Sequence, residues 1–118
     1  MAFLVEKLEV YQRTLTFAEA ISKLTESFPR GQWYLADQLN RAATSIATTL
    51  AEGNGRFHKP DRAHFFRISR SSAFECLPLL ELARRKGLIG QSHHTELYSQ
   101  LEVISKMLSA LVPKAHAE

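Results

Sequence analysis

Apolar residues recur three and four positions apart in four segments of this sequence, which is the spacing of an amphipathic helix. Breaks that contain proline or glycine separate the segments, which span residues 8–28, 33–52, 60–86 and 92–113. Short links between long helices favour antiparallel neighbours. The sequence therefore predicts an all-α protein, an antiparallel up-down four-helix bundle that occupies residues 1–118 as one domain.

Proline and glycine residues predict where these helices end or bend. Gly53 is expected to act as a C-cap glycine for the second helix, and Gly87 is expected to end the third. Pro113 is expected to close the fourth helix. Pro78 lies well inside the third helix, where it removes one backbone hydrogen bond, so we expect a kink rather than a break.

The predicted helices carry more apolar surface than the interior of one bundle needs. The first and third helices each show two apolar stripes, and self-association is the expected use of the surplus. The second helix instead offers small side chains that let another helix approach closely: Ala42, Ala43, Ser45, Ala47 and Ala51. At its start stand Trp33 and Tyr34, which are expected to seal one end of the bundle; the alternative is that they stack on a base or on a partner. The sequence thus predicts a homo-oligomer.

The cysteine content and the N-terminal residues bear on the compartment. Cys76 is the only cysteine, so no disulfide forms within the chain and a reducing compartment is expected. Acidic residues interrupt the N-terminal apolar run too early for a signal peptide, and no run of about 18 apolar residues occurs. We therefore expect a cytoplasmic protein with no membrane partner.

Positive charge is concentrated in one part of the chain. The formal net charge is +3, and residues 54–75 contain five basic and two acidic side chains, while residues 76–90 contain three basic and one acidic. Guanidinium groups match phosphate oxygens well. The candidate phosphate-binding residues are the five basic side chains of the first block: Arg56, Lys59, Arg62, Arg67 and Arg70. The alternative is that basic side chains in this region are solvated or pair with acidic residues such as Glu52, Glu75 and Glu81.

Residues suited to catalysis or metal binding form no recognisable constellation. The five histidines lie at positions 58, 64, 93, 94 and 116, and no pair has the i, i+4 spacing of a helical metal site. Cys76 lies on an apolar stripe and is interpreted as a buried small side chain rather than a nucleophile. Arg41 and Glu52 share one face of the second helix, and each is expected to meet a charge from another helix or subunit. The sequence predicts no metal, no cofactor and no enzymatic activity.

Three segments resemble a known family. They read QLNRAATSIATTLAEGNGR (38–56), FFRISRSSAFE (65–75) and LARRKGLI (82–89). From about residue 8 to residue 111, the chain resembles the bacterial four-helix-bundle proteins encoded in 23S rRNA intervening sequences. That family also includes the accessory variability determinant proteins of diversity-generating retroelements. The sequence departs from the family pattern at Thr49, where Asn is common, and at Ser71, where Gly commonly precedes the family's serine.

The resemblance implies an antiparallel bundle assembled into a homopentamer. Most family members have no established biochemical role, whereas the retroelement branch implies a basic, barrel-shaped partner of a reverse transcriptase and of nucleic acid. The motif residues carried over to this chain are interpreted as determinants of fold or assembly: Arg41, Ser45, Glu52, Gly53, Gly55, Arg56 and Ser72. The resemblance transfers no catalytic residue.

These patterns lead to a leading hypothesis and an alternative. The leading hypothesis is a non-enzymatic homo-oligomer, a pentamer by resemblance, that binds structured RNA or DNA through the five candidate basic side chains. The alternative is a protein-interaction scaffold without nucleic-acid binding, in which the arginines form salt bridges between subunits. The expected partners are therefore the chain itself, RNA or DNA, and a reverse transcriptase or another protein.

Overall fold

The computed structural model describes residues 3–117 and shows four long α-helices. Their bounds are Glu9–Glu26 (α1), Trp33–Asn54 (α2), Lys59–Arg85 (α3) and Gln91–Ala117 (α4). Two short 3-10 helices, Leu4–Lys7 and Arg30–Gln32, precede α1 and α2. No β-strand occurs between residues 3 and 117. All four predicted helices are therefore present.

The helices pack in a ring. Each helix contacts the next one along the chain, and α1 closes the ring by packing against α4. In the part of the chain that the structure describes, no pair of Cα atoms within 8 Å joins α1 to α3 or α2 to α4. The molecule measures 47 × 26 × 21 Å along its principal axes. This arrangement confirms the predicted antiparallel up-down four-helix bundle, while its extent as a single domain over residues 1–118 stays a prediction.

The core is built from the apolar lines that the sequence spacing predicts. The apolar residues three and four positions apart in α2 are all buried: Leu35, Leu39, Ala42, Ile46 and Leu50. In α4 the same spacing joins the buried residues Leu97, Leu101, Ile104 and Leu108. From the other two helices, Phe17 of α1 and Leu80 of α3 meet them in the same core. Burial of each large apolar side chain stabilises the fold by roughly 1.5–3 kcal/mol.

Two of the predicted helix ends are wrong. Gly53 lies inside α2 and is buried, and the helix continues to Asn54. The C-cap is Gly55, whose φ of −85° is right-handed, so no left-handed glycine ends this helix. Pro113 lies inside α4, which continues to Ala117. A proline lacks one backbone N–H donor, and α4 continues beyond Pro113 despite the missing hydrogen bond.

The end of α3 agrees with its prediction. Gly87 has a φ of 74°, the left-handed conformation that glycine adopts without a steric penalty. The backbone N–H of Gly87 donates to the Arg84 carbonyl at 3.0 Å, and that of Leu88 donates to the Ala83 carbonyl at 2.9 Å. This is the Schellman arrangement, and it satisfies carbonyls left open at the helix end. Pro78 lies within an unbroken α3, and the expected kink stays a prediction.

Several large apolar side chains remain on the surface. Those more than a third exposed are Phe3, Leu4, Leu15, Trp33, Tyr34, Phe57, Phe74, Leu82, Tyr98 and Val103. Trp33 is 71% exposed, so the expectation that it seals the bundle end is wrong, because its side chain projects away from the core. None of the described helices is long and apolar enough to span a bilayer.

Candidate nucleic-acid interface

Hydrogen bonds between α2 and α3 fix the helix that carries most of the candidate residues. The buried Ser69 hydroxyl donates to the Ile46 carbonyl at 2.7 Å. One turn later along α3, the Ser72 hydroxyl donates to the Ser45 hydroxyl at 2.8 Å. Because both bonds cross between helices, they hold α3 at one position along α2. Ser45 and Ser72, interpreted from the resemblance as determinants of fold or assembly, are thus in contact.

Gly53 brings the end of α2 against the beginning of α3. A Cβ atom at this position would lie 2.9 Å from the Cβ of Phe65 and 2.9 Å from Cε1 of Phe66. Real Cβ atoms do not approach other carbon atoms so closely, so any other residue would push the helices apart. The glycine predicted as a C-cap therefore serves close helix packing instead.

Arg56 lies in the loop that connects α2 to α3 and is held from two sides. Its guanidinium is 3.6 Å from the Glu52 carboxylate, and it lies 4.4 Å from the centroid of the Phe65 ring. About half of the Arg56 side chain remains exposed, 46%. An exposed ion pair at this distance is weak, so the positive charge of Arg56 remains available to an anion from outside.

Lys59 and Arg62 follow Arg56 in the first turns of α3. Both side chains are half-buried, and neither has an ion-pair partner among residues 3–114, whose side chains the structure describes. Asp61 is the acidic residue of the same turn. We call Arg56, Lys59 and Arg62 the entry cluster, since they surround the point where the chain enters α3. The structure brings these three candidates together at one end of the bundle.

Arg67 and Arg70 lie further along α3, and both are exposed. The Nε of Arg70 donates to the Ser109 hydroxyl of α4 at 2.7 Å, and its guanidinium lies 4.6 Å from the centroid of the Phe74 ring. Both partners are neutral, so they orient Arg70 without cancelling its charge. The five candidates thus extend from the end of the bundle along the outer side of α3.

In the second basic block, Arg84 and Arg85 share one carboxylate partner within the chain. Glu81 accepts hydrogen bonds from Arg84 at 2.7 and 3.0 Å and from Arg85 at 2.9 Å. These bonds, the Arg84 contribution first, lower the pKa of Glu81 to about 2. Nε2 of His94 on α4 lies 3.7 Å from the same carboxylate. The alternative in which basic side chains pair with acidic ones therefore holds for Arg84 and Arg85.

The other charged motif residues have local partners. Arg41 pairs with Asp37, four residues earlier on α2, at 3.0 Å, and Glu52 pairs with Arg56. The prediction that Arg41 and Glu52 meet charges from another helix is wrong within this chain, because side chains four residues apart lie on the same face and reach each other first. Gly55, the remaining motif glycine, is the C-cap of α2.

Phe57 is the residue of this region that the sequence patterns did not single out. Its side chain is 92% exposed in the loop between α2 and α3. The ring meets the His58 ring edge to face, with the centroids 5.3 Å apart. Its position could have indicated this exposure, because Phe57 lies between Arg56 and His58 in a link of only four residues, 55–58.

Cys76 and the described His, Asp and Glu side chains are the candidates for nucleophilic or metal-binding chemistry. Cys76 is fully buried, as predicted. Burial, with a smaller contribution from Glu75, raises the pKa of its thiol to about 12, so the side chain stays protonated at neutral pH. Across the described residues, no group of three or more His, Cys, Asp or Glu side chains is arranged to hold a metal ion.

Comparison with known proteins gives a family and a fold. The family described as 23S rRNA-intervening sequence protein matches residues 6–110. The chain is similar to a crystal structure from Bacteroides thetaiotaomicron, described as a protein with unknown function from the S23 ribosomal protein family. The TM-score is 0.81 at 24% sequence identity, over 87% of this chain and 97% of that chain. No curated protein matches the chain. Neither description names an enzymatic activity.

Proposed function

Because the chain belongs to the 23S rRNA-intervening sequence protein family, we propose that it is a non-enzymatic, homo-oligomeric helical bundle that binds structured RNA or DNA. The binding surface is the entry cluster extended by Arg67 and Arg70. The observation that carries the proposal is the state of these charges: Lys59 and Arg62 have no ion-pair partner among the described side chains, and Arg70 is oriented by neutral groups.

The chemistry of these side chains suits a phosphate backbone rather than base edges. Four of the five are arginines, whose planar guanidinium matches two phosphate oxygens at once. They lie along a convex helix end and side, where phosphates are reached without entering a groove. Contacts of this kind position a nucleic acid without reading its sequence. We therefore expect affinity for structured RNA or DNA with little sequence preference.

The salt dependence of binding tests this proposal. If the five side chains neutralise about five phosphates, the logarithm of the association constant falls with log salt with a slope of about −4. Between 50 and 200 mM salt this corresponds to a loss of roughly 10²- to 10³-fold. Fluorescence anisotropy with a structured RNA at both salt concentrations measures it. Binding no tighter than that of a neutral control protein of similar size would overturn the proposal.

Assembly into a homo-oligomer, a pentamer by family resemblance, is the second part of the proposal. Its support is the exposed apolar surface, which includes Leu82 and Val103 on the outer sides of α3 and α4. Exposed apolar side chains that adjoin one another on a subunit typically mark a protein interface. Sedimentation velocity should give a mass of about five chains, and a monomer at high concentration would contradict it.

The alternative function is a protein-interaction scaffold, and one observation favours it. An outward-facing groove of about 340 Å³ between α3 and α4 is lined by Phe74, Leu77 and Tyr98. A groove lined by apolar and aromatic side chains suits a protein partner, such as the reverse transcriptase that the retroelement branch suggests. The double substitution Arg56→Glu/Arg67→Glu separates the two functions. Loss of the oligomer favours the scaffold, whereas an intact oligomer that no longer binds RNA favours the nucleic-acid surface.

A further inference from the structure

Phe57 has the highest exposure of the large apolar side chains in the described part of the chain, 92%. Its ring and the His58 ring meet edge to face, and at this exposure most of the Phe57 ring surface stays open to solvent. A single exposed apolar side chain needs no explanation by itself. Phe57 differs from the other exposed aromatic residues in its setting, because it lies within the entry cluster.

The loop holds the Phe57 ring at a defined place. The backbone N–H of Gly55 donates to the Ala51 carbonyl and that of Arg56 to the Gly53 carbonyl, each at 3.1 Å. On the other side, the N–H of Arg62 donates to the His58 carbonyl at 3.1 Å. Anchored on both sides within four residues, the loop presents the ring at its tip.

The space inside the loop is already occupied. Phe66 packs on Gly53 and is 2% exposed, and Phe65 lies beneath the Arg56 guanidinium. Phe57 therefore has no place in the core next to its own loop, and the described residues 3–114 leave its side chain 92% exposed.

The charge around Phe57 indicates what covers it. Arg56, Lys59 and Arg62 lie within five residues of the ring, and Asp61 is the acidic residue among them. An apolar ring surrounded by cations matches a ligand that combines a flat aromatic face with negative charge. A second copy of this chain would bring the same positive charge to the contact, which opposes pairing of two such loops. A nucleotide has both required properties.

We propose that Phe57 stacks on an unpaired nucleobase of the nucleic acid whose phosphates the entry cluster binds. This inference rests on the proposed function and specifies its ligand, since a base can stack on Phe57 only where it is free of its own helix. The ligand is thus a nucleic acid with a loop, bulge or single-stranded end next to the bound phosphates. Stacking does not depend on base identity, which agrees with weak sequence preference.

The test compares two RNAs with equal numbers of phosphates, a hairpin with an unpaired loop and a blunt duplex, by fluorescence anisotropy at 50 mM salt. Phe57→Ala should lower affinity for the hairpin about tenfold, in the range of one base–aromatic stack, and should change duplex affinity less than twofold. Phe57→Trp should keep the wild-type preference. Trp33→Ala is the matched control, because Trp33 is also exposed but lies at the other end of α2, roughly 30 Å away. It should alter neither affinity.

The outcomes separate the inference from the proposed function. If wild-type protein binds both RNAs and Phe57→Ala weakens both equally or neither, the stacking inference is overturned and the proposed function stands. If wild-type protein binds neither RNA, both are overturned. If Phe57→Ala changes the mass of the assembly in sedimentation velocity, the ring is covered by a second copy and the inference is overturned.

Discussion

At the start of α3, Lys59 and Arg62 lie without an ion-pair partner among the described side chains, whereas at its end Arg84 and Arg85 both donate hydrogen bonds to Glu81. The sequence gives both blocks a net positive charge. In the folded chain Arg84 and Arg85 share the charge of one carboxylate, whereas Lys59 and Arg62 present their charge without an acidic partner among the described side chains. A count of basic residues therefore overstates a binding surface wherever one carboxylate lies three or four residues away on the same helix face.

The two ends of α3 also use glycine differently. At the start, Gly53 of α2 has no side chain, which allows Phe65 and Phe66 to approach it. At the end, Gly87 supplies a left-handed backbone with open space around its Cα. Gly53 allows close contact between two helices, whereas Gly87 adopts a left-handed backbone conformation, so the same residue type has two different physical roles.

The largest expected effect tests whether the two basic blocks really differ. Lys59→Gln/Arg62→Gln should weaken RNA binding roughly 30-fold, as expected for two charged contacts of about 1 kcal/mol each, and should reduce the salt slope by about two. Arg85→Gln/Lys86→Gln removes the same charge from the other end and should change affinity little. Anisotropy titrations of both variants at two salt concentrations measure this. Equal losses would show that overall charge, not the entry cluster, drives binding.

A smaller effect is expected from the glycine that sets the contact at the start of α3. Gly53→Ala should lower the free energy of unfolding by up to about 2 kcal/mol, because an overpacking cost of about 1–3 kcal/mol outweighs the helix-propensity gain of about 1 kcal/mol. Gly90→Ala is the control, since nothing lies within 4 Å of its added Cβ. Urea denaturation compares the two. An unchanged or increased stability of Gly53→Ala would contradict the close-contact role.

The smallest effect concerns the end of α3 and depends on pH. Because the pKa of Glu81 falls from 4.5 to about 2 on folding, its ion pairs stabilise the folded chain fully above pH 4.5 and lose that contribution as the pH falls towards 2. The carboxylate is partly exposed, so the contribution is small. Glu81→Gln should lower the Tm slightly at pH 6, and the difference from wild type should narrow at pH 3. A gap that widens on acidification would exclude this role.

The sequence predicted the bundle because its interior depends on local spacing. The burial of residues such as Leu39 and Leu101 follows from the 3.6-residue period of an α-helix. The role of Gly87 follows from its position after a basic last helical turn. Gly53 was misread because its role depends on Phe65 and Phe66, which follow it by more than ten residues. A one-dimensional pattern does not show which helix will lie opposite a glycine.

The candidate site was harder to predict than the fold. The concentration of basic residues in positions 54–75 pointed to the five candidates. Which of them face solvent depends on how α3 is rotated against its neighbours, and the sequence does not show that rotation. Pairing of Glu81 with Arg84 and Arg85 was foreseeable from their spacing. The exposure of Phe57 was not foreseeable, because an aromatic residue beside a helix start can lie inside or outside a bundle with the same local sequence.

The hydrogen bonds of Ser69 and Ser72 to α2 have a consequence for the choice of ligand. The helix rise of α3 fixes the spacing of the cationic side chains along it, and these two bonds fix the position of that row relative to α2. The row from Lys59 to Arg70 covers about 17 Å at 1.5 Å per residue, and successive phosphates of one strand advance about 3.4 Å, so about six phosphates cover it. Oligonucleotides shorter than about six units are thus too short to reach both ends of the row.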